Sequence, residues 1–432
     1  HGSYEEHLGR YNRVVKVRDE LKLPVATLFD SKGPEIRFRL FEGSKVTIND
    51  GDLFTLTTRE ILGNNTIGSI SYKNLINDVQ IGTSILVNDG LIELKVEKVG
   101  DTDIVCRVIN GGVISDRKAI NVPGVHLSLP FLSDVDRRDL EFAMKTGFDF
   151  FALSFVRCAE DVLEVRRLQK EHNNTSKLIA KIESQEGVEN LDAIIDVADG
   201  IMVARGDMGV EIPFEKVPVV QKDMISKCLK SGKFVIVATQ MLESMTHNPR
   251  PTRAEVNDVA NAIFDQTSAV MLSGESAAGD YPVEAVKTMS RICHEIEKTT
   301  TTGKFEITYN GSNLASSIAC AACSIASVIN ADAIIPVSLS GSTIRKVSGF
   351  RPNINIIGCS TNERVCRETS LMWGVTPVLI TEQEDGEALI NEVINKCKTA
   401  GVIKSGNRVV IVAGFPLRIA GATNMIRVVD VD

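Results

Sequence analysis

From about Val125 to Met289, short apolar runs alternate with longer stretches of helical spacing. The runs are FDFFALSFV, KLIAKIES, DGIMVARGD, KFVIVATQ and SAVMLSGE, and each carries about six to eight residues that are apolar almost throughout. A strand that is apolar on both faces belongs in a parallel sheet covered by helices on either side. With PVATLFDS near the start, the pattern predicts six such strands.

Between Lys32 and Asn121 the period changes to two. In SILVNDGLIELKVEKV, Asn88-Asp89-Gly90 separates two alternating runs, which predicts a β-hairpin inside a compact all-β insertion. The insertion leaves the strand-helix region after LFDSKGPEIR and returns at NVPGVHLSLPFLSDVDRRDL, so it should sit as a lid over one strand end. From about Asn313 the strand-helix rhythm resumes with ADAIIPVSLS, NINIIGCS, VTPVLI, RVVIVAGF and MIRVVDV, five strands of a separate open sheet. The TTTTG stretch at 299–303 reads as the linker. The expected boundaries are 1–31 with 122–298 for the strand-helix domain, 32–121 for the insertion and 299–432 for the last domain.

Composition narrows the class. Apolar residues at 43% and charged residues at 24% of 432 fall in the globular range. A net charge of −8, without a long basic stretch, argues against a nucleic-acid partner. No run of about 18 apolar residues suggests a membrane span. Nine scattered cysteines, mostly within apolar segments, fit reduced thiols in a cytoplasmic protein. Cys320 and Cys323 form a CxxC, but its apolar surroundings point to a buried helix rather than to zinc or redox chemistry.

In parallel α/β folds the chemistry projects from the C-terminal ends of the strands. Those ends carry Asp30, Ser31 and Lys32; Lys181 and Glu183; Arg205 and Asp207; Thr239 and Gln240; Ser273 and Glu275. Lys181 and Glu183 are two apart and share a face. They could form a simple ion pair, but Asp207 on the next strand adds a second carboxylate, and two carboxylates completed by water and phosphate are a usual magnesium seat. Gly206 and Gly209 bracket Asp207 where a strand turns toward a helix, a place where backbone N–H groups bind anions.

The segments DSKGPEIR, KIESQEGVENLD, MVARGDMGVEIP, ATQMLESMTHNPRPTRAEVNDVANA and MLSGESAAGDYP resemble, in order, the signature segments of pyruvate kinases. The resemblance spans the chain. It implies an α/β protein: a (β/α)8 TIM-type barrel, an inserted small all-β domain, and a C-terminal open α/β regulatory domain. It implies glycolytic phosphoryl transfer from phosphoenolpyruvate to ADP. Glu183 and Asp207 would hold Mg2+ (or Mn2+), and Lys181 and Arg37 would contact the transferring group. Gly206, Asp207 and Thr239 would hold the substrate carboxylate, with Thr239, Ser273 and Glu275 in proton delivery. Asp30 and the Ser31 carbonyl resemble half of a K+ site; Ser31 replaces a threonine common in the family, and Glu35 resembles the potassium-dependent branch. His1 and Lys118 would meet the nucleotide.

Six strands stand where the barrel of the family has eight, and His1-Gly2-Ser3 resembles the segment just after its second strand. The expectation is that the protein continues upstream of His1, where an arginine contacting substrate and an Asn-x-Ser pair of the potassium site would lie. Ser338, Ser340, Gly341, Ser342 and Thr343 open a helical run and form a phosphate cradle or an ordinary serine-rich cap. They resemble the family's effector loop, which implies a sugar-phosphate or nucleotide effector, with Arg418 as a further contact. A homotetramer is implied, with Arg253 near its interface. Two other readings stay open: a lyase of phosphoenolpyruvate-type substrates on a magnesium-enolate barrel, and a catalytically silent metabolite-sensing homologue.

Overall fold

The structure, a computed structural model, describes residues 2–299, 313–417, 419 and 422–432. His1, Arg418 and the greater part of the TTTTG stretch lie outside the described residues. All six apolar runs form strands: Leu28–Asp30, Phe150–Leu153, Lys177–Ile182, Gly200–Ala204, Phe234–Ala238 and Ala269–Val270. Their order in the sheet is their order in sequence. Ile179 to Ile182 pair in parallel with Gly200 to Val203, and Ile236 and Val237 with Ala269 and Val270. Phe150–Leu153, Gly200–Ala204 and Phe234–Ala238 are buried at every position, as strands covered on both faces must be.

The chain divides into two compact units, one of His1–Phe29, Thr146–Phe151 and Ile225–Asp432, the other of Asp30–Lys145 and Ala152–Met224. The second unit contains the β-rich insertion. Its seven-stranded sheet runs Ile36–Arg37, Ala119–Asn121, Ser84–Val87, Ile92–Val99, Asp103–Asn110, Leu53–Thr57, Ile67–Ser69. The hairpin read from Asn88-Asp89-Gly90 is present: Ser84–Val87 pairs antiparallel with Ile92–Val99 across Asn88 and Asp89, at φ 56° and 57°. Asn and Asp tolerate the left-handed region that such a tight turn requires. Alternation buries one face, where Phe38, Phe54, Leu56, Ile85, Leu94 and Ile104 pack together. Outgoing and returning chain lie side by side, with Ile36 opposite Ile120 and Arg37 opposite Ala119.

In the first unit the C-terminal sheet runs Val375–Leu379, Asn355–Ser360, Ala333–Pro336, Arg408–Gly414, Thr423–Asp430. Four of its strands are parallel, and the last returns antiparallel along Arg408–Gly414. Cys320 and Cys323 are buried on the helix Leu314–Val328, and all nine thiols are free. Among the described residues no helix is long and apolar enough to cross a membrane.

The same unit is knotted around Asp149, which is fully buried just before the strand Phe150–Leu153. Its carboxylate accepts from Thr27 N at 2.8 Å, Thr27 Oγ1 at 3.1 Å and Arg367 Nε at 3.0 Å. Arg18 stands 3.9 Å away. Breaking a buried ion pair from one side strands the other charge, at a cost of about 3 kcal/mol or more. Arg367→Met should therefore lower the calorimetric unfolding midpoint by several degrees, and an unchanged midpoint would remove Asp149 from the list of structural anchors.

Candidate active site

Lys181 and Glu183, two residues apart, emerge on one side at the end of the strand Lys177–Ile182. Lys181 Nζ lies 3.1 Å from Glu183 Oε1 and 3.1 Å from Asp30 Oδ1, and it donates to Ser154 Oγ at 2.7 Å. Glu183 is 1% exposed, and its other oxygen accepts from Phe155 N at 2.7 Å. Ser154 Oγ donates to the Ser31 carbonyl at 2.7 Å, while Ser31 Oγ accepts from Ser154 N at 3.0 Å. Asp30, Ser31, Lys181 and Glu183 thus form one network with Ser154 as its hinge.

The polar-strand-end rule applies equally to Ser154, which closes the predicted strand ending in FFAL but is not among the strand-end candidates named from the sequence. Gly33 explains why the segment after Leu28–Asp30 can approach so closely. It has φ 74°, and a Cβ there would stand 2.8 Å from the Ser154 carbonyl oxygen.

Burial pushes the Glu183 carboxyl up to about 7; Lys181 opposes this and Asp207 adds to it. Burial works against the charge of Lys181, but Glu183 and Asp30 outweigh it and hold the ammonium above its usual value. Asp207 lies in the first turn of the helix Arg205–Glu211, directly after the strand Gly200–Ala204, and Gly206 precedes it. Its side chain faces solvent, but the walls around it strip enough hydration to raise its pKa. Lys181 pulls the other way, and Glu35, Asp89 and Asp30 push further up. Around Asp207 three carboxylates, Glu35, Asp89 and Asp30, act against the one cation, Lys181.

Asp207, but not the Lys181 network, lines a cleft with about 1390 Å³ of empty space, its open mouth included, together with Glu35, Asp89, Asn121, Phe155 and Glu211 among others. The insertion supplies Glu35, Asp89 and Asn121. Asn121 Nδ2 donates to Glu211 Oε1 at 2.9 Å. Arg37 is held by Glu35, with Nε 2.7 Å from Oε2, and by the Arg117 carbonyl at 2.9 Å. It is not part of the Lys181 network. Lys118 is half-buried beside Arg117, and Phe38 N donates to its carbonyl at 2.9 Å.

In the other unit, Thr239 and Gln240 follow the strand Phe234–Ala238 at φ 66° and 53°. A β-branched residue at positive φ is strained, and such strain collects at functional positions. Thr239 Oγ1 donates to the Ala238 carbonyl at 2.6 Å. Glu275 is fully buried and accepts from Ser273 N at 2.7 Å and Leu242 N at 3.0 Å, tying together the segments after two neighbouring strands. Ser338 and Thr343 border a separate pocket of about 650 Å³, its open side included, with Ser340, Ser360 and Thr361. Gly341, at φ 78°, precedes the helix Ser342–Gly349.

Strand-end acids and a lysine on a parallel sheet, an inserted β-domain and a C-terminal α/β domain together are the parts of an α/β enzyme whose chemistry sits at its strand ends. Family models confirm and narrow this: one described as pyruvate kinase, barrel domain, matches residues 1–286, and one described as pyruvate kinase, alpha/beta domain, matches 316–429. A pyruvate kinase of Clostridium acetobutylicum is 46% identical over 99% of this chain and 92% of its own length. One from Staphylococcus aureus is 44% identical over 99% of this chain and 74% of its own. The crystal structure of a pyruvate kinase from Cryptosporidium parvum superposes with a TM-score of 0.91 at 38% identity, covering 100% of this chain and 89% of that one. The chain belongs to the pyruvate kinase family, enzymes that transfer a phosphoryl group from phosphoenolpyruvate to ADP, giving pyruvate and ATP. The reading as a lyase falls away.

The raised Glu183 pKa fixes a pH dependence. Between the unfolded value near 4.5 and the folded value of about 7, the folded protein binds more protons, so this group's contribution to stability falls as pH rises through that window. In metal-free buffer, Glu183→Gln should therefore gain stability relative to the parent between pH 5 and pH 8, by on the order of 2–3 kcal/mol. Denaturation curves at both pH values test it; a pH-independent difference would refute it.

Proposed function

We propose that Glu183 and Asp207 hold Mg2+ (or Mn2+) and that Lys181 and Arg37 neutralise the transferring phosphoryl group. The observation that carries this reading is the buried Glu183 beside Lys181, with a second carboxylate, Asp207, close enough to raise its pKa. Such a donor set fits magnesium, which takes one or two protein carboxylates and completes its shell with water and substrate oxygens. Among the described residues no group of three or more His, Cys, Asp and Glu is placed to hold a metal by itself, so water and substrate oxygens would have to complete the shell. When bound, the divalent ion supplies positive charge to the oxygens of the phosphoryl group.

Lys181 keeps its proton throughout and acts as a fixed positive charge, because the enzyme's task is placement and charge spreading rather than covalent help. Backbone groups of Gly206 and Asp207, with Thr239, orient the substrate carboxylate. Once the phosphoryl group has left for ADP, the enolpyruvate carbon must gain a proton; the Thr239, Ser273 and Glu275 segment delivers it. Asp30 and the Ser31 carbonyl contribute to K+ binding, which makes the enzyme potassium-activated. Both already bond within the Lys181 network, so the ion would order the same groups that meet the phosphate. The insertion, with Lys118, closes over the nucleotide and excludes water.

In the C-terminal domain, Ser338, Ser340, Gly341, Ser342 and Thr343 form the seat of a sugar-phosphate or nucleotide effector. A hydroxyl-rich pocket wall and the start of an eight-residue helix support this. A homotetramer is the proposed assembly.

A coupled assay with phosphoenolpyruvate and ADP tests the site. Lys181→Met should lower kcat by roughly a thousandfold, the scale of losing one electrostatic contact to the transition state. Activity should vanish in chelator and return with Mg2+. Because a carboxylate must lose its proton to bind metal, the apparent Mg2+ affinity should weaken as pH falls below about 7. Replacing K+ by a bulky organic cation should depress the rate; equal rates would sink the potassium assignment. Full activity in Lys181→Met would sink the phosphoryl contact.

A further inference from the structure

The helix that carries Asp207 has little of its own to hold it. Arg205–Glu211 is seven residues long, and Met208 is its one fully buried side chain. A helix of that length is not stable by itself, so its position is set by what packs on it. Its C-terminal end meets the insertion at two points. Asn121 Nδ2 donates to Glu211 Oε1 at 2.9 Å, and a Cβ built at Gly90 would stand 3.8 Å from Val210 Cγ1. Both points belong to one corner of the insertion's sheet. Asn121 ends the returning strand Ala119–Asn121 and is registered opposite Leu86, and the strand of Leu86 runs on into the Asn88-Asp89-Gly90 turn.

Glu211 is badly placed on its own account. A negative charge at the last residue of a helix opposes the helix dipole. Burial pushes its carboxyl up; the Asn121 amide works against that, and Asp207 adds to it. Among the described residues Asn121 is its one hydrogen-bond donor. A half-buried carboxylate is tied firmly to the single group that relieves it, because a hydrogen bond to a charged group is stronger than a neutral one and costly to leave unmade. Nor is Glu211 placed to ligate: with Glu183 and Asp207 it makes no group of three acids able to hold one ion.

We infer that the Asn121–Glu211 bond pins the end of Arg205–Glu211 to the insertion, and that Asn121 and Glu211 are thereby positioning residues for Asp207. The point where the insertion returns to the barrel part of the chain sets how Asp207 is presented, and neither residue touches metal or substrate. The inference rests on the proposed role of Asp207 in holding a divalent ion.

Mn2+ binding to the full chain, followed by the electron paramagnetic resonance signal of the free ion, tests the pin. Asn121→Leu and Glu211→Ala should each weaken binding about tenfold, the scale of one charge-assisted hydrogen bond. The double variant should weaken it no further, since either change alone already breaks the bond. Glu211→Gln keeps an acceptor and should restore most of the affinity lost in Glu211→Ala. A merely structural role would move the unfolding midpoint in chelator without this non-additive pattern. Should Asn121→Leu fail to fold, Asn121→Ser, whose side chain is too short to reach Glu211, carries the same comparison. Parent affinity in the Asn121 variant, additive losses in the double variant, or a Glu211→Gln loss equal to that of Glu211→Ala would overturn the inference. Asp207→Asn separates the two claims. If it binds Mn2+ as the parent does, the metal reading fails and the pin with it; if it loses Mn2+ while the Asn121 variant does not, the pin alone is overturned.

Discussion

A carboxylate buried to 1% exposure beside a lysine is the constraint on which the catalytic unit turns. Burial pushes the Glu183 carboxyl toward its neutral form, and Lys181 and the Phe155 amide, which face it, work against that. Lys181 in turn needs Asp30 and Ser154 to fix its direction, and Ser154 needs the Ser31 backbone. Three strand ends are thereby locked together by one set of bonds. Gly33 belongs to the same requirement, because no side chain fits between it and Ser154.

The insertion answers a different demand. Its core is closed by alternating apolar positions, so it can leave and re-enter the barrel part of the chain through two paired segments, Ile36–Arg37 and Ala119–Asn121, without disturbing its own sheet. That pairing brings Glu35 and Asn121 to the cleft. Excess negative charge there is unfavourable for the protein alone and favourable for a site that receives cations with its substrates. The Thr239-Gln240 turn is a similar concession: positive φ at two non-glycine residues costs stability, and it is retained where a strand end must present side chains.

Much of this was legible in the sequence because it rests on local period. Fully apolar runs marked the six strands of the barrel sheet, alternation marked the insertion, and Asn88-Asp89-Gly90 marked its hairpin. The strand-end rule singled out Lys181, Glu183, Asp207, Thr239 and Glu275 as candidates, since the residue at the end of a buried strand is the first one free to be polar. The antiparallel course of Thr423–Asp430 could not be read, because a short apolar strand has the same pattern in either direction.

What only the tertiary structure decided was which polar groups meet. Sequence spacing put Lys181 and Glu183 on one face, but gave no sign that Ser154, 27 residues before Lys181, would bond to it, or that Arg37 would turn to Glu35 instead. Nor could it set Asp149 against Arg367 across a separation of 218 residues. Periodicity records whether a residue is buried, a property of its own element. Hydrogen bonds and ion pairs depend on distances between elements far apart in the chain, and those are fixed only when the sheets and helices pack.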